Sequence, residues 1–591
     1  MEKEQYLEVY RHSLAHILAK AVIELFGKEN VQYAIGPQIE NGFYYDFVLP
    51  RTVNADDFKQ IEDKMHEIIK RRENWTVKEV SKEEALSVFS GQKFKTELIE
   101  DLPADEKITI YYTGDDYADL CRGPHVDNSQ ELMNAAFQIR SVSGAYWRGD
   151  EKRDQLQRIY VYAFPDKNQL KDFLKLLKEA QERDHKKLGP ALDLFMFDET
   201  APGMPYWLPR GWKLFNALLD FWRGIHEEHG YMEISAPVIN NQKLWATSGH
   251  WGHYKDNMFI IPGEKEDESD FFAAKPMNCP NAIMVYKNAL RSYKELPMRI
   301  SQVDVIHRKE KSGELNGLFR VQMFRQDDAH LLVTEDQIAA EINDIMDIAG
   351  QIYGTFGLTY KAELSTRPDD FMGDIKVWDQ AEADLKKILN DKYGEGNYEI
   401  NEGDGAFYGP KIDLKMKDAL GREWQMGTIQ LDFQLPLNFG LKYASQDGSM
   451  KQPVMIHRAI FGSMERFIGI LIENFKGAFP FWLSPVQVGI VPIREEHNAY
   501  AKEILELCRA SRIRAEVDYS DKNMKEKIKT YKNYKDPYII VIGDKETAER
   551  TVSINLRGEN RQLQNIPLDT FIAMCCRMNR EHSLELADSA E

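Results

Sequence analysis

The chain of 591 residues is too long for one core and divides into roughly three or four domains. A composition of 43 % hydrophobic and 29 % charged residues excludes a disordered or fibrous chain, and a net charge of -19 excludes a general nucleic-acid coat, leaving only a local basic face for RNA. Glu2, Glu4 and Glu8 ahead of the first apolar stripe exclude a secretory signal or transit peptide, no apolar run reaches membrane-spanning length, and five cysteines fit a reducing compartment, so a cytoplasmic protein without membrane contact is expected.

The first predicted element is an amphipathic helix over YLEVYRHSLAHILAKAVIELFG, where Leu14, Leu18, Ala21, Val22 and Leu25 form an apolar stripe. The fragment HSLAH sets His12 and His16 four residues apart, on one face. Two histidines on a docked helix are more often satisfied polar residues than ligands. CRGPH adds a thiol, Cys121, and an imidazole, His125, in a Gly-Pro loop. Four such groups could bind zinc, or a substrate and a water without metal, and spacing does not separate the two.

Further along, IGPQIENGFYYDF and KITIYYTG read as strands bounded by Gly and Asn turns, which makes the first 160 or so residues one α+β domain. NQLKDFLKLLKEAQERDHKKLG reads as a connecting helix of about five turns, ended by Gly189 and Pro190. Beyond it, MRISQVDVIHR, LFRVQMFRQ and KIDLKMKD alternate with helices and glycine turns, the pattern of a large, mainly antiparallel sheet. From PVQVGIVPI onward the order strand, helix, strand, helix, strand predicts a small α/β domain with a partly parallel sheet. Its helix NMKEKIKTYKNYK carries Lys522, Lys525, Lys529 and Lys532 on one face, a stripe able to meet phosphates.

The chemistry concentrates in the middle. HRKEKSGELNGLFRVQMFRQDDAH places Arg308 and Glu310 on one arm of a Gly-rich turn and Arg320 on the other, and HRAIFGSMERFIGILIE sets Gly462 and Arg466 at the start of an apolar helix. Arginines on rigid elements suit phosphate, because they are always charged and donate paired hydrogen bonds. A single one would read as a surface salt bridge.

These segments carry a resemblance. GYMEISAPVI around Pro237, HRKE followed by FR and QDDAH, and GSMER resemble motifs 1, 2 and 3 of class II aminoacyl-tRNA synthetases. KPMNCP, QDDAHL, GAFYGPKID, QLDF and VMIHRAIFGSMERF are similar to the threonyl members of that class, and nearly the whole chain is covered. The match begins directly at the HSLAH helix, without the extra small domain that many bacterial members carry before it. The resemblance implies a multidomain α+β and α/β fold: an α+β editing domain over 1–163, a linker helix over 164–185, an antiparallel-sheet catalytic domain over 186–484 and a C-terminal α/β anticodon-binding domain over 485–591. It implies activation of L-threonine by ATP with Mg2+, transfer to threonine tRNA, one Zn2+ per subunit, and a homodimer built on motif 1.

By the family's pattern, Arg308 meets the α-phosphate and Glu310 the adenine edge, Phe324 and Arg466 enclose the adenine, Arg466 also reaches the γ-phosphate with Arg320 helping to hold it, and Gln430 joins the ATP residues. Cys279, His330 and His457 match the zinc ligands. Asp328 matches the acceptor of the substrate hydroxyl, with Gln326 and Tyr408 around the amino group and Met277 as pocket wall. His250 in SGHW matches a histidine near the terminal ribose, although alone it would read as an ordinary surface histidine. Serine differs from threonine by one methyl, worth about 1–3 kcal/mol, so a second, hydrolytic site is expected. The resemblance assigns it to His12, His16, Lys95, Asp119, Cys121 and His125, working without metal. For the anticodon it points to Glu546 and to the strand VSINLRG, where Asn555 stands in place of the common arginine and Arg557 follows on the same face. A non-catalytic RNA-binding or trans-editing paralogue is the competing reading, and it should have lost catalytic residues.

Overall fold

The computed structural model describes residues 3–103, 106–264, 268–559 and 562–586; Glu2 lies outside them. The chain forms two units, Met1–Glu179 and Ala180–Glu591.

The first unit is organised around the helix Lys3–Phe26. Residues 13–22 of this helix are buried all round rather than along a stripe, and Leu25 is exposed. The reason is that the helix is covered on more than one side, by the helix Ala55–Lys70 and by the strands Gly42–Val48 and Gln155–Phe164. Two of its buried polar groups are paired: Ser13 Oγ donates to the Val9 carbonyl at 2.8 Å, and Lys20 Nζ meets Glu73 at 2.6 Å and Asp116 at 2.5 Å. IGPQIENGFYYDF folds as a hairpin, Gln38–Ile39 against Gly42–Val48, with Asn41 at φ 63° in the turn. KITIYYTG supplies Ile108–Thr113, the centre of a separate three-stranded sheet with Trp75–Val80 and Tyr117–Leu120.

The predicted connector is not one helix. Lys167–Arg183 ends where the Asp184 carboxylate accepts from Lys186 N and starts a second helix, His185–Ala191. Gly189 and Pro190 therefore lie inside the second helix, and Gly189 is there because a Cβ would fall 2.2 Å from the Phe195 ring.

The second unit holds an eight-stranded sheet ordered Met232–Glu233, Met298–Gln302, Asp328–Val333, Val454–Ala459, Glu423–Asp432, Lys411–Lys417, Tyr360–Ser365 and Glu399–Asn401. All pairs are antiparallel except the two outermost. One face packs on the helices Pro209–Glu228, Ile338–Thr355 and Met464–Asn474 in a large apolar core. MRISQVDVIHR splits between this sheet and the strand Val305–His307, which pairs with Met323–Arg325, the only part of LFRVQMFRQ that is a strand. The C-terminal segment forms the expected partly parallel sheet: Val488–Pro492 is parallel to both Ala515–Val517 and Tyr538–Ile542, and Thr551–Leu556 and Gln562–Pro567 continue it antiparallel. Among the described residues no helix is long and apolar enough to cross a membrane.

Gly211 lies in Pro209–Glu228 where a Cβ would meet the Leu194 carbonyl oxygen at 1.8 Å, a contact with backbone that cannot yield easily. Gly211→Ala is expected to destabilise this unit by about 3 kcal/mol through overpacking. Calorimetry of its unfolding transition checks this, and a change under about 0.5 kcal/mol would show that the backbone relaxes.

Candidate functional sites

Strand register builds the first site. His330 stands directly opposite His457, and His457 directly opposite Gln430, so three neighbouring strands present one row of side chains. Two residues along the same strands, Asp328, Ala459 and Thr428 face the same way. Cys279 comes from elsewhere, at the start of the helix Cys279–Tyr286. These residues, with Met277, Arg308, Gln326, Phe407 and Tyr408, line a cavity of about 340 Å³.

Ligand atoms of Cys279, His330 and His457 lie within 4.8 Å of one another, and all three residues are buried. Burial, with Asp328 and Asp432 nearby, pushes the Cys279 thiol well above its ordinary range, and burial holds the His330 imidazole neutral. His330 Nδ1 has no hydrogen-bond partner. Asp432 Oδ2 takes His457 Nε2 at 2.8 Å and leaves Nδ1 as the nitrogen for a ligand. One thiol and two imidazoles, one with an orphaned nitrogen, are donors that fit Zn2+.

Asn278 Nδ2 donates to Asp328 Oδ2 at 3.0 Å, and burial raises the Asp328 carboxyl above its usual range. Tyr408 donates to Gln430 Oε1 at 2.5 Å. Gln430, expected among the ATP residues, therefore belongs to this cavity. His250 is not a surface histidine: it is fully buried, its Nδ1 2.8 Å from Ser248 Oγ and its Nε2 3.0 Å from Met277 Sδ, and burial lowers its pKa to about 4.

A second cavity of about 380 Å³ adjoins the first, and Arg308, Gln326 and Thr428 line both. Arg308 is held by the Pro276 carbonyl through Nε at 3.1 Å, with its guanidinium 5.2 Å from the Phe324 ring centre. Arg320 donates to Glu310 at 2.7 Å and Glu314 at 2.6 Å. Arg466 N is capped by Ser463 Oγ at 3.0 Å, and its Nε donates to the Phe319 carbonyl at 2.9 Å. Gly462 has φ 71°, and a Cβ would lie 2.7 Å from the Met426 carbonyl oxygen, so only glycine keeps this turn.

The third site lies wholly in the first unit. Ligand atoms of His12, His16, Cys121 and His125 fall within 4.8 Å of one another. Cys121 Sγ is 3.2 Å from His12 Nε2 and from His125 Nε2, and His125 Nδ1 is 3.2 Å from Ser13 Oγ. Gly123, at φ 62°, allows the loop to pass where a Cβ would strike the Tyr111 hydroxyl. Asp119 accepts from Lys95, from Tyr45 OH at 2.5 Å and from Tyr117 OH at 2.8 Å, and its Oδ2 is 3.4 Å from His16 Nε2. Lys95 and Asp119 thus support His16 as well as lining the adjacent cavity of about 410 Å³. Burial keeps all three imidazoles neutral and pushes the Cys121 thiol up to about 12.

The anticodon expectations fare differently. Glu546 is engaged at both oxygens, by Ser553 Oγ at 2.9 Å and Gly543 N at 3.0 Å, and Asn555 Nδ2 donates to the Ile539 carbonyl at 3.2 Å. Arg557 lies past the end of Thr551–Leu556, not on that strand, and its guanidinium donates to the carbonyls of Lys535, Ala478 and Phe479. It braces the C-terminal sheet against the segment before it. Lys525, Lys529 and Lys532 are exposed on Met524–Asn533, while Lys522 precedes the Asn523 cap.

Asp432, Asn278, Ser248, Tyr45 and Tyr117 were not singled out from the sequence. Asp432 stands inside QLDF and Asn278 inside PMNC, so proximity to the matched ligands was the available signal.

Family models match three segments: the second additional domain of threonyl and alanyl tRNA synthetases over 108–160, the class II tRNA synthetase core domain (G, H, P, S and T) over 261–475, and an anticodon binding domain over 487–577. A threonine–tRNA ligase of Thermotoga petrophila is 48 % identical over 97 % of this chain and 88 % of its own. That of Petrotoga mobilis is 49 % identical over 98 % and 89 %. Among solved structures, the RNA binding domain of threonyl-tRNA synthetase from Cryptosporidium parvum aligns with a TM-score of 0.64 at 40 % identity, covering 69 % of this chain and all of that one.

With its thiol raised to about 12, Cys121 should label with iodoacetamide at a rate that climbs about tenfold per pH unit from pH 7 to pH 10. Peptide mapping by mass spectrometry reads the rate, and a plateau near pH 8 would mean that a thiolate is stabilised there.

Proposed function

Because the chain belongs to the threonine–tRNA ligases, class II synthetases with an appended editing domain, we propose a role for each of its clustered residues. The enzyme activates threonine with ATP, transfers it to tRNA and edits the product. The carrying observation is the row His330, His457 and Gln430 beside Cys279, in a cavity that shares Arg308 with the next one.

Cys279, His330 and His457 hold Zn2+. Bound there, the ion would supply a Lewis acid for the polar groups of threonine. Asp328, with one oxygen held by Asn278, keeps the other for the substrate hydroxyl; valine leaves it unsatisfied, the circumstance that gives the largest discrimination. Gln326 and Tyr408 face the amino group, and Met277 closes the wall. Arg308, common to both cavities, meets the α-phosphate where the threonine carboxylate attacks, and neutralises charge growing on the phosphorus oxygens. Glu310, steadied by Arg320, reads the adenine edge, Phe324 and Arg466 enclose the ring, and Mg2+ accompanies the phosphates. His250, neutral because its pKa is about 4, is able to accept a proton during transfer to the terminal ribose.

In the editing site, His12, His16, Cys121 and His125 bind the misacylated end and position a water, with Lys95 and Asp119 fixing His16. Glu546 and Asn555 belong to the anticodon-binding domain, and the exposed lysines meet tRNA phosphates. The domain limits we propose lie near residues 163, 185 and 484, whereas the two compact units divide at Glu179. Exposed Met232, Val238 and Ile239 in motif 1 support a homodimer, which sedimentation at micromolar concentration tests. With the three motif arginines and the thiol and two imidazoles of the metal triad all in place, no observation favours a non-catalytic paralogue.

Cys279→Ser or His457→Ala should strip the zinc and abolish threonine-dependent ATP–pyrophosphate exchange. Full metal content with retained exchange in the Cys279 variant would remove the triad from the account.

His12→Ala with His16→Ala should leave exchange and charging near normal while release of serine from seryl-tRNA of the threonine anticodon is lost. Equal hydrolysis by wild type and variant, at equal folded fraction, would sink the editing assignment.

A further inference from the structure

His185 belongs to none of the motifs, yet it is fully buried beneath the nucleotide cavity. Both ring nitrogens are committed. Nδ1 lies 2.7 Å from Glu473 Oε1, and Leu318 N–H donates to Nε2 at 3.0 Å. Since a backbone N–H can only donate, Nε2 must carry a lone pair and Nδ1 the proton, which fixes a neutral tautomer. The same Glu473 carboxylate also accepts from His185 N at 3.1 Å and from the Arg422 guanidinium.

This unit grips the motif 2 loop. The His185 ring packs on Phe319 with centroids 4.0 Å apart, Trp424 packs against Phe319 at 4.5 Å, and Arg422 sits 5.7 Å from its ring centre. Gly317, at φ 52°, has no room for a Cβ, which would stand 2.3 Å from His185 Nε2. The Phe319 carbonyl is what holds Arg466 Nε, so the terminal nitrogens of Arg466 are the ones left for a ligand. Arg183 donates to the carbonyls of Glu473 and Asn474, at the end of the helix Met464–Asn474 that begins next to Arg466.

We propose that His185 is a positioning residue for ATP: by binding Leu318 N–H and clamping Phe319, it sets the direction of the Arg466 guanidinium. The inference rests on the reading that this cavity takes ATP. The bond to Leu318, not the bond to Glu473, is the one that reaches the nucleotide.

Threonine-dependent ATP–pyrophosphate exchange on the full chain tests it. His185→Phe keeps a ring against Phe319 but offers no acceptor, and should raise the ATP KM about tenfold while the threonine KM stays within about twofold. His185→Gln places an amide oxygen where Nε2 was and should recover most of the ATP KM; His185→Asn reaches Glu473 but not Leu318 and should resemble Phe. ATP and threonine KM rising together, Gln no better than Asn, or unfolding of all three variants would overturn the proposal. Arg466→Ala separates the two failures. An unchanged ATP KM in that variant would remove the nucleotide cavity itself, whereas a raised one with no difference between Gln and Asn would overturn His185 alone.

Discussion

The direct opposition of His330 and His457 across adjacent antiparallel strands is the constraint on which the synthetic site depends. Strand side chains alternate faces, so a slip of one residue would turn both imidazoles into the apolar core and bring Ala329, Leu331 and Ile456 to the cavity. The core resists that slip, because Leu331, Ile429, Leu431 and Ile456 bury themselves on the opposite face. Burial of one face therefore fixes the chemistry of the other. The irregularity in this sheet, at Leu414 and Lys415, lies away from the row and leaves its alignment intact.

The sequence was most readable where periodicity or a dense motif stood on one element. The C-terminal alternation of strands and helices, the antiparallel character of the large sheet and the helix after GSMER all follow from hydrophobic spacing. Spacing failed where tertiary contacts override it. Lys3–Phe26 looked like a one-sided helix because its buried polar residues, Ser13 and Lys20, break the apolar pattern, and only the paired partners explain their burial. The break at Asp184 was invisible because the residues that demand it, Glu473 and Leu318, are far away in sequence. The same is true of the sites. Cys279, His330 and His457 were found through resemblance, since nothing in their spacing relates a helix start to two strand interiors. Arg557 was misread as strand-borne because a pattern does not say where a strand ends, and carbonyls from Ala478 and Phe479 take its guanidinium.

The two His/Cys clusters, similar in donors, differ in charge balance, and that difference bears on what each accepts. Around Cys279 the carboxylates of Asp328 and Asp432 are both buried; the first is stabilised by the Asn278 amide and by His457, Arg308 and Arg458 nearby, and the second leans on His457. Desolvation raises both Asp328 and Cys279, and a divalent cation held by the three donors would favour the deprotonated thiol as a ligand. Around Cys121 the single buried carboxylate, Asp119, is already matched by the Lys95 ammonium and two tyrosine hydroxyls. Lys95 also depresses the His12 and His16 imidazoles and lowers the local negative potential. The two clusters thus share donor types but differ in the charged groups packed against them, two buried carboxylates beside Cys279 and a carboxylate paired with an ammonium beside Cys121.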